Sequence, residues 1–293
     1  MTAPDTAALA RVSVLIVNYN SGPWLAKTVN QLLSTATSEP EIIVVDNGSV
    51  DASLADLDSR VRLDRAGKNL GFAGGINRAA AQSERELLLL LNPDCLIRPD
   101  TLTRLVAELD AHPEAALVSG RIVGEDGHEQ RASRRRLPRP RLILGEILPL
   151  STSGVDLSRT APPAEPTEVE AVSGACMLVR ADALHAVSGL DPDYALHFED
   201  LDLFARLRQA GWTLRWVPEV EILHAGGKSS ASRPLGVEID KHRGLWRYLS
   251  RHGGDQWPAW QRPLWALALL GHLLLRLAMK LPAVLRQRWK ASR

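Results

Sequence analysis

Asn92-Pro93-Asp94 places a carboxylate directly after residues 86–91, an apolar run that is typical of a buried strand. A single Asp in that position can bind Mg²⁺ or Mn²⁺ together with a substrate diphosphate, because these ions accept few protein ligands and keep phosphate oxygens. The same three residues also form a good turn in any protein. The motif therefore indicates a metal site only if other segments bring further ligands to it.

His224 is the candidate for a second ligand, because it ends an apolar run and is followed by the glycine-rich residues 225–229. Imidazole is a usual ligand for ions such as Mn²⁺, although a lone His is more often structural. The two cysteines, Cys95 and Cys176, form no CxxC pair and show no metal-ligand spacing. We expect both to remain thiols in a reducing compartment.

Phe198-Glu199-Asp200-Leu201-Asp202 contains three acids at the start of a predicted helix over residues 200–210. The positive end of the helix dipole stabilises acids there, which favours a simple capping role. Mutual repulsion can also raise the pKa of one of them to a value useful for a general base. Physical reasoning alone supports a capping role and a catalytic role about equally.

Residues 69–77 are rich in glycine and lie before or within a helix predicted over residues 74–83. Backbone N–H groups in such a segment can approach a phosphate or a nucleoside. The pattern is not GxxxxGKS, which argues against an ATP-binding P-loop. It is also not GxGxxG after the first strand, which argues against a dinucleotide site.

Strand and helix patterns alternate along the first half of the chain. Predicted strands cover residues 12–17, 41–45, 61–63 and 86–91, and predicted helices cover 24–35, a short segment capped by Asp51 or Ser53, 74–83 and 101–111. The alternation predicts an α/β fold with a mostly parallel sheet between helices. Ligands bind such sheets beyond the carboxyl ends of the strands, where three of these four strands are followed by Asn or Asp.

The second half adds strands over residues 168–180, 213–218 and 220–223, and a helix over 181–187. Residues 127–166 differ in character, and we predict a mobile surface loop or lid there. Its arginines could hold a diphosphate or an anionic lipid, or could simply be solvated. They are Arg131, Arg134, Arg135, Arg136, Arg139 and Arg141.

The last thirty residues form a separate unit. Residues 264–275 are apolar except for His272, which is shorter than the roughly 20 residues of a membrane span. Trp265 and Trp289 bracket this run, and basic residues follow it, so we predict a helix lying in the lipid headgroup plane. The alternative is a helix packed on the protein or on a second copy. The basic residues are Arg286, Arg288, Lys290 and Arg293.

The composition is that of an ordinary globular protein, with 293 residues, 45% of them apolar and 24% charged. A net charge of +1 gives no general attraction to nucleic acid, and no nucleic-acid partner is expected. Residues 1–11 lack the features of a signal peptide, so the catalytic part is expected to stay in the cytosol.

Taken together, the segments from Val12 to about Ser230 resemble the family 2 nucleotide-sugar glycosyltransferases of the GT-A fold. Within that family the chain is most similar to bacterial rhamnosyltransferases that extend polyprenyl-diphosphate-linked sugars. The motifs that carry the resemblance are Val-Asn-Tyr-Asn at 17–20, Val-Asp-Asn-Gly-Ser at 45–49, Asn-Leu-Gly-Phe-Ala-Gly-Gly-Ile-Asn at 69–77, Asn-Pro-Asp at 92–94, Ser-Gly-Ala-Cys-Met-Leu-Val-Arg at 173–180, Phe-Glu-Asp-Leu-Asp-Leu at 198–203, and His224.

The resemblance implies a role for each matching residue. Asp46 is expected to hydrogen-bond the pyrimidine base of the donor, Asp94 and His224 to bind Mg²⁺ or Mn²⁺, and Asp200 to act as the general base. The other donor-binding residues implied are Asn18, Asn20, Asn47, Asn69, Asn77 and, near the ribose, Asn92; those implied on the acceptor side are Gly174, Glu199 and Trp212. Many relatives carry Asp-x-Asp where this chain has Asn92-Pro93-Asp94, so one carboxylate of the metal motif is missing.

The implied reaction is an inverting transfer of a sugar, with L-rhamnose from dTDP-rhamnose as the first candidate, to a hydroxyl of a glycan or lipid-linked saccharide in cell-envelope polysaccharide synthesis. Galactofuranose or a hexose from a UDP donor is the alternative within the family. A nucleotidyltransferase is a more distant alternative, and the absence of Lys and Arg from residues 18–23 argues against it.

The domain organisation expected on this basis is a GT-A domain over residues 1–245 and a C-terminal helical segment over 246–293. The GT-A domain would comprise a donor half at about 10–125, the basic loop at 127–166 and an acceptor half at about 167–245. The enzyme is expected on the inner face of the cell membrane as a peripheral protein, with homodimerisation as one option.

Overall fold

A nine-stranded sheet forms the centre of the molecule in the computed structural model, which describes residues 9–35, 40–147, 154–226, 234–254 and 257–291. The strand order is β3-β2-β1-β4-β10-β6-β11-β5, with β8 paired to β11. The strands are β1 Val12–Asn18, β2 Glu41–Asp46, β3 Arg62–Arg65, β4 Leu87–Leu91, β5 Cys95–Ile97, β6 Ala115–Val123, β8 Thr167–Glu168, β10 Cys176–Arg180 and β11 Thr213–His224; β7 Arg134–Arg135 and β9 Ala171–Val172 form a separate pair.

Parallel pairing dominates the donor half, as the alternation of apolar strands and helices predicts. β1 pairs in parallel with β2 and β4, and β2 pairs in parallel with β3. β10 enters antiparallel between β4 and β6, and β11 then runs parallel to β6. All seven residues of β1 are buried, because helices cover both faces of the sheet.

The described helices divide between the two faces of the sheet. They are α1 Trp24–Thr35, α2 Gly71–Ala80, α3 Thr101–Ala111, α4 Pro140–Ile147, α5 Ala181–Ala186, α6 Glu199–Gln209, α7 Pro234–His252 and α8 Arg262–Ala291, with a 3-10 turn at Ala259–Gln261. One core contains Leu25 of α1 and Leu105 of α3, and the other contains Ile76 of α2, Phe204 of α6 and Tyr248 of α7.

Several predicted elements differ from those observed. The helix expected after Asp51 or Ser53 is a series of turns, because the Asp51 carboxylate accepts a hydrogen bond from the Ser53 N–H instead of starting a helix. The strand predicted over residues 168–180 breaks into β8, β9 and β10, since each part pairs with a different strand. The strands predicted over residues 213–218 and 220–223 are one strand, β11, with an irregularity between Val217 and Glu221.

The arginine-rich segment is not simply a solvated loop. β7 pairs with β9, and Arg134 is only 4% exposed and forms an ion pair with Glu129. Part of the predicted lid is thus built into the fold by pairing with residues far along the chain. Residues 148–153 of this segment lie outside the described residues.

The C-terminal unit consists of α7 and α8 packed against each other. The predicted division between residues 245 and 246 falls inside α7. α8 extends well beyond the apolar run at 264–275, and residues 259–286 have the length and composition of a membrane-crossing helix. Only 11% of the most apolar part of this stretch is buried against the protein.

Candidate active site

One edge of the sheet collects most of the residues expected to do chemistry. β1 ends at Asn18, β2 at Asp46 and β11 at His224, and the turn at Asn92 follows β4. β10 runs in the opposite direction, so the residues before Cys176, including Gly174, lie at this same edge. This is the edge at which open parallel sheets bind ligands.

Asn18 and Asp46 form a buried polar pair at the donor end of this edge. The Asn18 side-chain amide donates to Asp46 Oδ1 at 2.9 Å and to the Ser53 hydroxyl at 2.9 Å. The Ser49 N–H donates to the other Asp46 oxygen at 3.2 Å. Asn18, which is fully buried, therefore orients Asp46.

The remaining asparagines near this pair shape the surrounding loops. Asn20 has a left-handed backbone, with φ +52°, and its side chain accepts the Val50 N–H. Asn47 donates to the Gly71 carbonyl at 2.9 Å, which ties the end of β2 to the glycine-rich segment. Exposed Asn69 accepts the Gly71 N–H at the start of α2. The glycine-rich segment thus lies beside Asp46, as a donor-binding loop requires.

Two of the expected site residues have other tasks. Both ends of the Asn77 amide bond the backbone of Leu190, at 2.7 and 2.9 Å, so this side chain joins α2 to the loop before α6. Trp212 lies at the start of β11, whereas His224 ends that strand, and the two are therefore at opposite edges of the sheet. Trp212 is therefore distant from His224 and from the other expected site residues at that edge.

Asp94 and His224 meet across β5 and β11. These strands pair antiparallel with His224 opposite Cys95, which brings His224 Nε2 to 3.3 Å from Asp94 Oδ1. Cys95 offers a third potential ligand atom within 4.8 Å. Burial holds the pKa of the Cys95 thiol well above its ordinary range, and the thiol contacts the Ala175 carbonyl, so it is a poor ligand.

Gln130 fixes the orientation of His224, a role that the sequence did not indicate. Its Nε2 donates to the His224 carbonyl at 2.7 Å, and its Oε1 lies 2.9 Å from His224 Nδ1. An acceptor at Nδ1 places the proton there and leaves the Nε2 lone pair pointing toward Asp94. Partners of this kind are typical of metal-binding histidines.

A carboxylate and an oriented imidazole lone pair suit a divalent cation that is also held by phosphate oxygens. The nitrogen ligand favours Mn²⁺ over Mg²⁺, because Mg²⁺ strongly prefers oxygen. The donor set therefore fits the ion expected from the sequence, with one carboxylate fewer than an Asp-x-Asp motif provides.

Asp200 lies in the first turn of α6 and is held at both oxygens. The Leu201 N–H donates to Oδ1 at 2.8 Å, and the Arg135 guanidinium donates to Oδ2 at 2.5 Å. Arg135 also donates to the Val172 carbonyl, which anchors it on β9. Sequence reasoning had placed Arg135 in a mobile loop, and only the pairing of β7 with β9 reveals its position beside Asp200.

Glu199 and Asp202, the other acids of the motif, are not interchangeable with Asp200. Burial, with a smaller contribution from the Asp200 charge, raises the pKa of Glu199 to about 8. Glu199 is therefore largely neutral at pH 7, chiefly because it is buried. Asp202 is fully buried and bonds His252 at 2.8 Å and Arg206 at 2.7 Å, so it joins α6 to α7.

Residues 173–175 connect the base candidate to the metal ligands. The Ala175 carbonyl accepts the Asn92 N–H at 2.8 Å, next to Asp94, and a Cβ at Gly174 would lie 3.2 Å from Asp200 Oδ2. Asp94 and Asp200 thus flank one short segment. The arrangement brings together an oriented buried acid, an Asp–His pair with the chemistry to hold a cation, and a separate carboxylate.

Comparison with known proteins identifies the family. The model of "Glycosyl transferase family 2" matches residues 13–187, more than half of the chain. The chain belongs to glycosyl transferase family 2. It is 31% identical over 91% of its length to the N-acetylglucosaminyl-diphospho-decaprenol L-rhamnosyltransferase of Mycobacterium tuberculosis, 94% of which is covered. It is 26% identical over 73% of its length to rhamnosyltransferase WbbL of Escherichia coli, 83% of which is covered.

Solved structures show the same fold. The mannosyltransferase PcManGT from Pyrobaculum calidifontis, described in complex with GDP-Man and Mn²⁺, matches 99% of this chain and 82% of its own with a TM-score of 0.56 and 20% identity. GalNAc-T7, described with UDP, GalNAc and Mn²⁺, matches 73% of this chain and 42% of its own with a TM-score of 0.54 and 18% identity. The family 2 chain therefore has the GT-A fold, and membership of the family makes it a glycosyltransferase rather than a nucleotidyltransferase.

Proposed function

We propose that this family 2 glycosyltransferase transfers L-rhamnose from dTDP-rhamnose to a hydroxyl of a polyprenyl-diphosphate-linked sugar, on the cytoplasmic side of a membrane, in cell-envelope polysaccharide synthesis. The observation that carries the proposal is the similarity to the mycobacterial rhamnosyltransferase, which covers 91% of this chain, including the C-terminal part beyond the family match. The two relatives with rhamnosyltransferase names support the choice of sugar.

Recognition of the donor is assigned to the edge formed by Asp46 and the glycine-rich segment. Asn18 and Ser49 each donate a hydrogen bond to the Asp46 carboxylate, and together they hold it in one orientation. A fixed carboxylate can accept the N–H of a pyrimidine ring, a group that thymine and uracil share. Discrimination between dTDP and UDP donors must therefore come from contacts to other groups, such as the methyl group of thymine, the ribose or the sugar.

The transfer itself is assigned to Asp200. In a single in-line displacement, this carboxylate accepts the proton of the acceptor hydroxyl while the oxygen attacks the anomeric carbon and inverts it. Asp94 and His224 would hold Mg²⁺ or Mn²⁺, which supplies positive charge against the diphosphate as it leaves. Neutral Glu199 lies next to Asp200 and adds no second charge near the reacting oxygen.

Attachment to a membrane is assigned to α8, whose polarity is the reverse of a helix on a soluble protein. Two of its cations face α7, where Lys280 lies 2.6 Å and Arg276 3.4 Å from buried Glu238. Its outward residues are apolar and exposed, including Leu267 at 68% and Met279 at 64%. Burial of this face in lipid would remove its apolar surface from water. Of the basic tail, the side chains of Arg288, Lys290 and Arg293 lie outside the described residues.

A donor screen tests the proposal. The purified protein is given dTDP-rhamnose, UDP-galactofuranose or a UDP-hexose, with N-acetylglucosaminyl-diphospho-decaprenol in detergent and with Mn²⁺, Mg²⁺ or EDTA. We expect product from dTDP-rhamnose with Mn²⁺, and a loss of at least about 10²-fold in kcat for Asp200→Asn, because a general base contributes about 10²–10⁴. Transfer from a UDP donor alone would replace the proposed sugar, and full activity of Asp200→Asn would remove Asp200 as the base.

A further inference from the structure

A groove of about 700 Å³ runs between α7, α8 and the loop before α6. One wall is entirely aliphatic and belongs to α8: Ala266, Leu269, Leu270, Leu273 and Leu277. Leu270 is also 52% exposed, so this wall is continuous with the outward apolar surface of α8. The groove therefore opens toward the face that we assign to the membrane.

The inner end of the groove reaches the helix that carries Asp200. Gly244 lines the groove, and a Cβ there would lie 2.9 Å from Cδ2 of Phe198, the residue before Glu199. Tyr194 and Ala195 form the floor and belong to the same loop. The inner end of the groove is thus lined by a residue that packs directly on Phe198, which precedes the first turn of α6.

The polar wall of the groove belongs to α7 and carries more positive than negative groups. Arg247 is paired with Asp191 and Asp193, and His242 is bonded to His272. Asp240 is the carboxylate that α7 contributes to this wall. Arg243 is exposed and forms no ion pair with any residue in the described ranges. It is the cation available to a phosphate group.

We propose that this groove binds the isoprenoid chain of a lipid-diphosphate acceptor, with its diphosphate near Arg243 and its sugar directed toward Asp200. The inference rests on the proposed function, because that function supplies a lipid-linked acceptor. An aliphatic wall, a guanidinium without an ion pair in the described ranges, and an inner end close to the helix of Asp200 match the three parts of such a molecule in their order: chain, diphosphate and sugar. Apolar chain is drawn into the groove by the surface that it removes from water.

The first test compares two acceptors and two neighbouring leucines in detergent, where attachment to a membrane plays no part. The acceptors are decaprenyl-diphosphate-linked and geranyl-diphosphate-linked N-acetylglucosamine. Leu273→Gln alters the groove, whereas Leu274→Gln makes the same change on the outward face, where Leu274 is 58% exposed. We expect Leu273→Gln to raise KM about tenfold for the decaprenyl acceptor only, and Leu274→Gln to change neither KM.

Equal effects of Leu273→Gln on both acceptors, or no effect on either, would overturn the proposal. Leu270→Gln repeats the test at a half-exposed residue of the same wall, in case Leu273→Gln impairs folding.

A second test does not require transfer. A diazirine-bearing decaprenyl diphosphate without sugar is cross-linked to the protein, and the labelled peptides are mapped by mass spectrometry. We expect labels within residues 266–277 and 239–247, and we expect Arg243→Gln to reduce them. Labels confined to the outward face of α8 would reject the groove even if the enzyme is active. Labels in the groove of a protein that transfers no rhamnose would uphold it and reject the proposed function instead.

Discussion

Gly174→Ala is expected to disturb the base without disturbing the fold. The added methyl carbon would lie 3.2 Å from both Cβ and Oδ2 of Asp200, closer than the 3.4 Å at which ordinary contacts begin. The backbone of Gly174 is not left-handed, so alanine introduces no strain of its own. The carboxylate must give way, yet Arg135 holds Oδ2 and the Leu201 N–H holds Oδ1.

The size of the effect follows from the size of the displacement. A shift of a few tenths of an ångström is required, and a misplacement of about 1 Å can cost roughly 10²-fold in rate. We therefore expect kcat to fall about threefold to tenfold, which corresponds to about 0.6–1.4 kcal/mol in the barrier. The KM for the nucleotide sugar should hold, because Asp46 and its partners do not contact Gly174.

Steady-state kinetics with dTDP-rhamnose and a lipid-linked acceptor measure this effect, with thermal melts to confirm folding. Gly271→Ala is the matched control, because a Cβ at Gly271 meets nothing within 4 Å. An unchanged kcat in a folded Gly174→Ala protein, or a rise in donor KM alone, would show that the position of Asp200 does not limit the reaction.

Two further predictions concern the neighbours of the catalytic groups. Gln130→Ala removes the acceptor that orients His224, and we expect Mn²⁺ affinity, measured by calorimetry with dTDP present, to fall roughly 10–100-fold; unchanged affinity would remove His224 as an oriented ligand. Glu199→Gln mimics the neutral acid. Because the folded protein retains a proton on Glu199 between its ordinary pKa of 4.5 and about 8, wild-type stability should fall over this range as pH rises. The Tm of Glu199→Gln relative to wild type should therefore increase from pH 5 to pH 8 and then level off. Thermal melts over a pH series measure this difference. A difference in Tm that does not change with pH would contradict the burial of this group.

The donor half could be predicted closely because its signals are local. β1 and β4 are apolar runs buried on both faces; β1 ends in Asn18 and β4 is followed by Asn92, so each leads to a polar residue at the same edge. Less could be predicted where position depends on distant pairing. Trp212 follows α6 in sequence, but the chain turns there into the far end of β11. Arg135 looks like one arginine among several until β7 pairs with β9, which lies more than thirty residues further on.

The two adjacent acids of α6 show why the motif alone did not assign a base. Crowding predicted one raised pKa, and burial directs it to Glu199, one of whose oxygens is buried without a hydrogen-bond partner among the described residues. Asp200 instead pairs with the guanidinium of Arg135 and lies beside Gly174. Glu199 is neutral and cannot accept a proton, whereas Asp200 forms an ion pair, so the two acids cannot exchange roles. Of the two, Asp200 is the one we propose as the proton acceptor, and the rate of transfer should then depend on Arg135 as well as on Asp200.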